Sequence, residues 1–310
     1  DLVVISAPIQ HHLPMSRTAV NNGSNVLCEK PLAATGEEAK AFYELEKNAS
    51  TFIAIGYQWS FSEAIQALKQ DVMNGKLGKP QRFRTLCLWP RTHAYYHRNN
   101  WAGRIKSDDG AWVLDSPANN ATAHYLHNML YVQGQTLTSS ALPCNVEASL
   151  FRANNIENYD SAAVRIETDR NTTVLFYTTH SVERKRGPVF RFEFEQADVT
   201  YDVDDDAVLR ACFSDGSTTV YGKPDANVVR KMDVAINAVR TGEPVPCGVE
   251  AAMSHTLCID KMQKEFNIQD VDPQRIRHWQ KDDGDTQTYV EGIGDLFESA
   301  CRDGVIPERV

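Results

Sequence analysis

The chain has 310 residues, of which 42% are hydrophobic and 24% are charged, and its formal net charge is −9 at pH 7. This length predicts two domains, at about 150 residues per domain, and no apolar run reaches the ~18 residues of a membrane span. The negative charge argues against a general nucleic-acid-binding protein, because phosphate contacts need clustered lysine and arginine. The short basic run from Arg184 to Arg186 is interpreted as a solvated turn.

The seven cysteines are spaced singly, with no Cys-x-x-Cys pair. This spacing is typical of reduced thiols and predicts a cytoplasmic protein. The chain starts at Asp1, directly before the apolar run from Leu2 to Ile5, so a targeting sequence would lie upstream of it.

Short apolar runs alternate with helical patterns over residues 1–58. Strands are predicted over 2–5, 25–28 and 52–55, and helices over 13–21 and from Thr35 onward. Thr35 and Glu38 have the spacing of a capping box, in which each side chain satisfies a free backbone N–H at the helix start. The order strand-helix-strand-helix-strand predicts a parallel α/β sheet.

After a predicted helix over 62–73, the pattern changes to the period-two alternation of half-buried strands. Predicted strands cover 82–88, 146–152, 162–167, 173–178, 189–194, 199–203, 208–213 and 218–221, and predicted helices cover 227–240, 249–265 and 289–301. So many closely spaced strands predict one large, mostly antiparallel sheet, and with the helices an α+β second domain.

The chain contains no Gly-x-Gly-x-x-Gly turn, which normally holds the pyrophosphate of a dinucleotide. The nearest match, Gly292-Ile293-Gly294, lies at the start of a late helical pattern with no strand predicted before it, and is discarded. Either the first domain is not a Rossmann domain, or its first half is absent.

Two short segments favour the second option. The first is Ser6-Ala7-Pro8 with His12 four residues after the proline, and the second is Gly23 to Leu32, which contains Glu29-Lys30-Pro31. Together they resemble the Gfo/Idh/MocA oxidoreductases, in which a strand ends in Thr-Pro, a histidine follows, and the next strand runs into Glu-Lys-Pro.

The resemblance implies that residues 1–58 are the later part of a dinucleotide-binding domain and that 59–310 form a substrate-binding and oligomerisation domain. The two strands and helices that normally come first would be missing, which would leave the strand over 2–5 at an exposed sheet edge. It also implies NAD or NADP as cofactor. The residues expected to contact the cofactor are Ser6, Ala7, Pro8, His12, Glu29, Lys30, Pro31 and Gln58.

Lys30 follows a parallel strand at its carboxyl end, where ligands bind open α/β sheets. A lysine there can hold a substrate hydroxyl and help to deprotonate it, whereas the alternative is a surface lysine before a helix. Glu29 either binds the cofactor's ribose or orients Lys30. Gln58 and Ser60 match the asparagine and arginine of the family's Asn-x-Arg-Phe stretch, and the loss of that arginine puts a cofactor-phosphate contact there in doubt.

A second matching segment runs from Gly110 to Gly134 and resembles the family's Gly-Gly-Gly-x-Leu-x-Asp-x-Gly-x-His-x-x-Asp motif. Its first acidic residue is Asp115. Counting forward from Asp115 places Asn119 in the histidine position. Counting back from Gly134 places His124 there and His127 in the second acidic position.

Helical geometry favours the second alignment, because Asn120, His124, His127 and Tyr131 share one stripe, predicted to be polar, with Leu126, Met129 and Leu130 predicted to face the core. His124, expected to have a near-neutral pKa, is predicted to handle the hydroxyl proton together with Lys30. Asp115 and His127 are expected to bind substrate, although either histidine could simply be exposed. Asn119 and Asn120 either bond sugar hydroxyls or cap the helix.

The segment from Arg91 to Lys106 is rich in histidine, tyrosine, arginine and tryptophan. Aromatic side chains stack on sugar rings, so Trp101 and Arg104 are expected to bind substrate. His93 and His97 lie four residues apart, but no carboxylate or thiol at ligand spacing completes a metal site, and none is predicted.

These features predict a nicotinamide-dependent dehydrogenase of sugars, sugar acids or cyclitols. One alternative is a non-catalytic, dinucleotide-dependent sensor of the same family, and another is a natural chain that lacks the cofactor half. The expected partners are a small polyol and further copies of the chain, bound through the open face of the large sheet. Nucleic acid and membrane are not expected.

Overall fold

The computed structural model describes residues 1–310 and contains a small parallel sheet and a large mixed sheet. The small sheet and its helices run in the order β1 (Leu2–Ile5), α1 (His12–Asn21), β2 (Asn25–Cys28), α2 (Gly36–Lys47) and β3 (Ile53–Ile55). All its pairings are parallel, in the order β1-β2-β3, as the alternating pattern predicts. Strand β1 lies at the edge, with Val3 and Val4 exposed, which confirms the predicted edge position.

Helix α2 begins at the predicted capping box. The Thr35 hydroxyl accepts a hydrogen bond from the Glu38 N–H at 3.2 Å, and the Glu38 carboxylate accepts one from the Thr35 N–H at 3.1 Å. Two of the free N–H groups at the helix start are thereby satisfied. This fixes where the chain turns after β2, and therefore the loop that contains Lys30.

The large sheet has nine strands in the order β11-β10-β9-β8-β4-β7-β6-β5-β12. The helices α3 (Glu63–Met73), α4 (His93–His97) and α5 (Ala123–Tyr131) precede or interrupt its strands. The strands are β4 (Pro80–Leu88), β5 (Pro143–Arg152), β6 (Ser161–Thr168), β7 (Thr173–Thr179), β8 (Arg186–Phe194), β9 (Ala197–Asp202), β10 (Leu209–Phe213), β11 (Thr218–Gly222) and β12 (Ile268–Asp270). Only the pairs β4–β7 and β5–β12 are parallel, which confirms a mostly antiparallel sheet.

One apolar core connects the two sheets. It includes Val26 and Ile55 of the small sheet together with Phe83 and Phe192 of the large one. Helix α7 (Val249–Glu265) contacts α2, β3, α5 and β5, while α6 (Arg230–Thr241) packs beside β1 and β2. The carboxyl edge of the parallel sheet is therefore held against α5 and the segment that precedes it.

The carboxyl-terminal region differs from the prediction. A hairpin forms between β13 (Ile276–Gln280) and β14 (Thr286–Val290), and it is followed by α8 (Ile293–Asp303), which covers the outer face of β4 and β7. The helix predicted to start at Tyr289 therefore starts at Ile293, because Tyr289 pairs with Arg277 in the hairpin.

Gly292, with a φ of 76°, separates this strand from the helix. A strand thus does precede Gly292-Ile293-Gly294, contrary to the prediction. It belongs to an antiparallel hairpin rather than to a parallel βαβ unit, so the segment does not have the context of a dinucleotide-binding turn. None of the helices combines the length and the apolar composition required to cross a membrane.

Candidate active site

Lys30 lies just beyond the carboxyl end of β2, and its amine contacts one residue only. The Nζ atom donates to the backbone oxygen of Asn120 at 2.7 Å and to its side-chain Oδ1 at 2.8 Å. Burial lowers the pKa of Lys30 to about 8, although the charges of Glu29 and Asp115 act in the opposite direction. A buried lysine with no direct carboxylate partner is costly in its charged form, so this amine loses its proton at lower pH than an exposed lysine does.

Asn120 links Lys30 to Asp115. Its Nδ2 donates to Asp115 Oδ1 at 2.7 Å, which fixes the amide with Oδ1 toward Lys30. The other carboxylate oxygen accepts a hydrogen bond from the Gly103 N–H at 2.6 Å. Asp115 is 2% exposed, and burial raises its pKa. The result is a fixed hydrogen-bonded series from Lys30 through Asn120 to Asp115.

A single turn of π-helix over Pro117–Ala121 places Asn120 in this position. Ser116, rather than either asparagine, caps the turn, and its hydroxyl accepts from the Asn119 N–H at 3.2 Å. Asn119 is fully buried and donates to the Leu114 carbonyl at 3.1 Å. The Asn119 side chain therefore stabilises the preceding loop. Of the two asparagines, only Asn120 lies in the candidate site.

His124 lies in the first turn of α5 and is half-buried. No hydrogen bond is formed by either ring nitrogen, and only Nδ1 is enclosed. Burial lowers the pKa of His124 well below its usual value, and the charge of Lys30 lowers it further. The near-neutral pKa predicted from the sequence is therefore wrong, and His124 is a neutral imidazole at pH 7.

The predicted polar stripe of α5 is also wrong, because it lies inside the protein. His127 is 1% exposed, stacks on the Tyr57 ring at 3.9 Å between centroids and has Nε2 2.9 Å from the Ser60 hydroxyl. Tyr131 is fully buried and donates to the Leu137 carbonyl at 2.7 Å. Helix α5 contacts α7 and β4, so both of its faces are covered.

His12, predicted to contact the cofactor, bonds the chain's own backbone instead. Its ring nitrogens lie 2.8 Å from the Pro31 carbonyl and 3.0 Å from the Ala7 carbonyl, and its side chain is buried. It ties the loop after β1 to the loop after β2. Of the β1 loop residues, Ser6 is exposed, while Ala7 and Pro8 are half-buried.

Glu29 and Gln58 also have partners within the chain. Glu29 forms an ion pair with Lys231 of α6, so it neither touches nor orients Lys30 directly. Gln58 donates to Asp225 at 3.2 Å. The sequence did not indicate these partners, because both lie far along the chain in regions without a motif.

The arginines of the segment from Arg91 to Lys106 fall into two groups, one paired with carboxylates and one packed against an aromatic ring. Arg104 forms ion pairs with Asp108 and with Glu157, so its charge is already satisfied at the surface. Arg91 and Arg98 belong to no sequence motif, and their guanidinium carbons lie 4.8 Å and 3.7 Å from the centre of the Tyr95 ring.

Trp101 is half-buried, with the Arg98 guanidinium 5.2 Å from its ring. His93 bonds the Thr288 hydroxyl at 2.9 Å, and His97 is exposed. No group of three or more histidine, cysteine or acidic side chains in the structure could hold a metal ion.

Residues 1–57 match the family model described as an oxidoreductase family with an NAD-binding Rossmann fold. An uncharacterised oxidoreductase of Schizosaccharomyces pombe is 35% identical over 150 residues, which is 48% of this chain and 37% of that protein. Levoglucosan dehydrogenase of Pseudarthrobacter phenanthrenivorans is 31% identical over 83 residues, which is 27% of this chain and 21% of the enzyme. The matched region thus spans well under half the length of these relatives.

Likeness of fold extends further than likeness of sequence. The structure of a levoglucosan dehydrogenase in complex with NADH and levoglucosan superposes with a TM-score of 0.68 at 18% identity, covering 85% of this chain and 77% of that one. The parallel sheet and the large mixed sheet therefore have the arrangement found in that enzyme. The amino-terminal 57 residues are thus similar in sequence to the Gfo/Idh/MocA oxidoreductases, and the likeness of the longer chain to levoglucosan dehydrogenase is one of fold.

Proposed function

We propose that this protein transfers hydride between a nicotinamide cofactor and a secondary hydroxyl of a sugar, sugar acid or cyclitol. The observation that carries the proposal is the series Lys30–Asn120–Asp115 at the carboxyl edge of a parallel sheet, with the unpartnered imidazole of His124 on the adjoining helix. This edge is where open α/β sheets bind dinucleotides and their substrates. In this proposal residues 1–58 contribute to the cofactor side and 59–310 to the substrate side.

The residues at this edge fit the nicotinamide end of NAD or NADP. The Ser6 hydroxyl is exposed and both ring nitrogens of His124 lack partners, so neutral donors and acceptors are available for a carboxamide and for ribose hydroxyls. Ser6, Ala7, Pro8, Lys30 and Pro31 would line this end. When bound, the nicotinamide ring accepts or gives up the hydride, and the protein supplies orientation and electrostatics.

Lys30 is suited to take up the hydroxyl proton when the substrate is oxidised. A neutral amine has two N–H groups, and both are directed to Asn120 oxygens, which leaves the nitrogen lone pair for the substrate hydroxyl. After proton uptake the third N–H can donate to the resulting carbonyl oxygen. A pKa of about 8 also lies close to neutral pH, as efficient proton transfer requires.

His124 is suited to orient the same hydroxyl. Its low pKa keeps the ring neutral, so one nitrogen can accept a hydrogen bond without carrying charge. In this arrangement Lys30 takes up the proton of the substrate hydroxyl, and His124 orients that hydroxyl. The buried Asp115, acting through Asn120, is a positioning residue that keeps the Lys30 amine in place.

The oligomeric state, the cellular location and the choice of cofactor stay predictions from the sequence. Homo-oligomerisation through the open face of the large sheet stays a prediction; between β8 and β9 that face has the ion pairs Arg186–Asp202 and Arg191–Asp198. A cytoplasmic location and the choice between NAD and NADP also stay predictions.

The test is a panel of sugars, sugar acids and cyclitols with NAD⁺ and NADP⁺, followed by absorbance of the reduced cofactor at alkaline and neutral pH. We expect turnover of at least one polyol and its loss in Lys30→Met. Cofactor binding with no turnover of any polyol would contradict the proposal and favour the sensor alternative.

A further inference from the structure

Two arginines in the candidate site have no acidic partner. The guanidinium groups of Arg91 and Arg98 both pack against Tyr95, at 4.8 Å and 3.7 Å from its ring centre, and neither forms an ion pair. The only side-chain hydrogen bond of Arg98 goes to the Tyr95 carbonyl. The Nε atom of Arg91 is buried without any partner. Stacking on an aromatic ring holds a guanidinium in place but leaves its N–H groups free for another ligand.

Most arginines near this segment are already neutralised. Arg104, six residues after Arg98, pairs with Asp108 and Glu157, and Arg152 pairs with Asp270. In a chain with net charge −9, carboxylates are in excess, yet none forms an ion pair with Arg91 or Arg98, and the nearby Asp115 carboxylate is already bonded to Gly103 and Asn120. A local excess of positive charge in an acidic protein points to an anion that comes from outside the chain.

The fold places this segment beside the Lys30 series: the Gly103 N–H donates to Asp115 at 2.6 Å, and a Cβ atom on Gly103 would lie 3.2 Å from the ring of Tyr96, the neighbour of Tyr95. The positive charge of Arg98 acts on both Lys30 and Asp115, lowering the pKa of each below what their other surroundings would give. Tyr95 is likewise close enough to Asp115 for the carboxylate to raise the pKa of its phenol, after burial. An anion held by the arginine pair would therefore share a site with a hydroxyl held by Lys30.

A buried histidine beside the pair supports the presence of a ligand. His180 is 2% exposed; its ring lies 5.4 Å from that of Tyr95, and its Nδ1 lies 3.2 Å from the Tyr96 hydroxyl. Its backbone carbonyl accepts from the Arg91 N–H at 3.1 Å. The Nε2 atom is buried with no hydrogen-bond partner. Buried polar atoms are rarely left unpaired, so this nitrogen indicates a missing polar group in the same neighbourhood.

We propose that Arg91 and Arg98 bind a carboxylate or phosphoryl group of the substrate, so that the sugar oxidised or reduced at Lys30 is an anionic one. The proposal rests on the proposed function and narrows its substrate class. Guanidinium groups bind both kinds of oxyanion through paired N–H···O bonds. The anionic group anchors one end of the sugar and leaves a hydroxyl at the other end for Lys30.

Matched pairs of sugars test this directly. D-glucose is compared with D-glucuronate as the carboxylate probe and with D-glucose 6-phosphate as the phosphoryl probe, each with both cofactors. We expect kcat/KM for at least one anionic probe to exceed that for glucose by 10-fold or more. Each factor of ten corresponds to about 1.4 kcal/mol of additional transition-state binding. The probe that gains identifies the source of the anion. Equal values for all three sugars would overturn the proposal and leave the dehydrogenase function intact.

Charge-removing variants provide the second arm. At alkaline pH, where the Lys30 amine is neutral with or without the Arg98 charge, Arg98→Gln and Arg91→Gln should each lower kcat/KM for the preferred anionic probe about 10- to 100-fold, mainly through KM, and leave that for glucose within about 3-fold. Arg98→Lys should recover part of the loss, because it restores the charge but not the paired geometry. Arg170→Gln is the matched control. Like Arg98, Arg170 is exposed and forms no ion pair, but it lies in the turn before β7, at the other end of that strand from His180. Equal losses for neutral and anionic sugars would contradict the proposal.

A binding measurement separates this inference from the proposed function. If no sugar is turned over, thermal unfolding is followed with glucose, glucuronate or glucose 6-phosphate at equal ionic strength. An upward shift of the unfolding temperature with an anionic probe only, lost in Arg98→Gln, would support the anion site even though the dehydrogenase function had failed. The same shift in wild type and Arg98→Gln, or no shift with either anion, would overturn it.

Discussion

Two lysines in this protein are largely buried, and the contrast between their surroundings separates a candidate catalytic residue from a structural one. Lys30 lies at the carboxyl edge of the parallel sheet, and Lys69 lies in α3 against α5. Burial lowers the pKa of both, to about 8 for Lys30 and to about 7 for Lys69. By the size of the shift alone, Lys69 would be the stronger candidate.

Their contacts give the opposite ranking. The Lys69 amine donates to the carbonyls of Ser139 and Leu137 and lies 3.4 Å from the centre of the Tyr131 ring, and its side chain is 0% exposed. No small molecule can reach it there. Lys30 is bonded to a side chain that is itself fixed by Asp115, beside an imidazole with free nitrogens. A shifted pKa by itself indicates only that a group is buried. A functional group must also be reachable by substrate and lie beside groups whose hydrogen-bonding atoms are free.

The largest expected difference between the two lysines is in catalysis. Lys30→Met should lower kcat by 10²- to 10⁴-fold, the range for loss of a positioned acid–base group, with cofactor affinity changed by a few-fold at most. Lys69→Met, the matched control, should leave kcat within about 3-fold. Steady-state kinetics of both variants measure this. Equal activities of the two variants would remove the distinction between the sites.

The two histidines of α5 sharpen the same comparison. His124→Gln should lower kcat about 10- to 100-fold with little change in unfolding temperature, because its ring nitrogens bond nothing in the protein. His127→Ala should leave kcat less affected but destabilise the fold by about 2–4 kcal/mol, because it removes a buried ring stacked on Tyr57. Kinetics and chemical denaturation of both variants provide the readouts. The reverse ranking in kcat would mean that the wrong histidine has been chosen.

The pH dependence tests the series from Lys30 to Asp115. Oxidation requires the neutral amine, so kcat/KM should rise with pH through a midpoint near the Lys30 pKa of about 8. The Asp115 charge raises that pKa, and therefore Asp115→Asn should move the rising limb to lower pH, by up to about one unit. A limb that stays in place or moves to higher pH would separate Asp115 from Lys30.

Lys69 should appear in the pH dependence of stability instead. Its pKa is about 7 in the folded chain and 10.5 as the ordinary value, so the unfolded chain binds more protons between these pH values. The unfolding free energy of wild type should therefore rise relative to Lys69→Met as pH increases from 7 toward 10.5, by at most about 1.4 kcal/mol per pH unit. Denaturant titrations at pH 7 and pH 9 check the sign. A difference that is constant with pH would show that Lys69 keeps its ordinary pKa.

Local patterns in the sequence were enough to predict the parallel sheet, the capping box at Thr35 and the strands from β4 to β11. The hairpin β13–β14 was missed because its first strand, Ile276–Gln280, is mostly exposed and has no apolar alternation. Its second strand runs almost directly into α8, so the sequence pattern around Tyr289 predicts a helix there. A strand that forms because it pairs with a neighbouring strand, and that has no apolar alternation of its own, cannot be recognised from a single sequence.

In the site, the sequence indicated Lys30, Asp115, Asn120 and His124 but not what connects them. The predicted polar stripe of α5 failed because helical periodicity shows which residues share a face, not whether that face meets solvent or another helix. Arg98 and His180 lie in no sequence motif. Both come close to Tyr95 only in the folded structure, although some 80 residues of chain separate them from each other. Such pairings depend on the tertiary fold.

The continuous core between the two sheets also limits how substrate reaches Lys30. A hinge motion that opened the cleft would expose the apolar surface shared by β3, α5 and α7, at about 25 cal/mol for each Å². The exposed turn over 107–111 can move at far lower cost, because its hydrogen bonds are mainly internal to the turn and Gly110 adopts a φ of 85° with no atoms crowding it. Its rate of opening would then set an upper limit on how fast product leaves, whatever the speed of the chemical step.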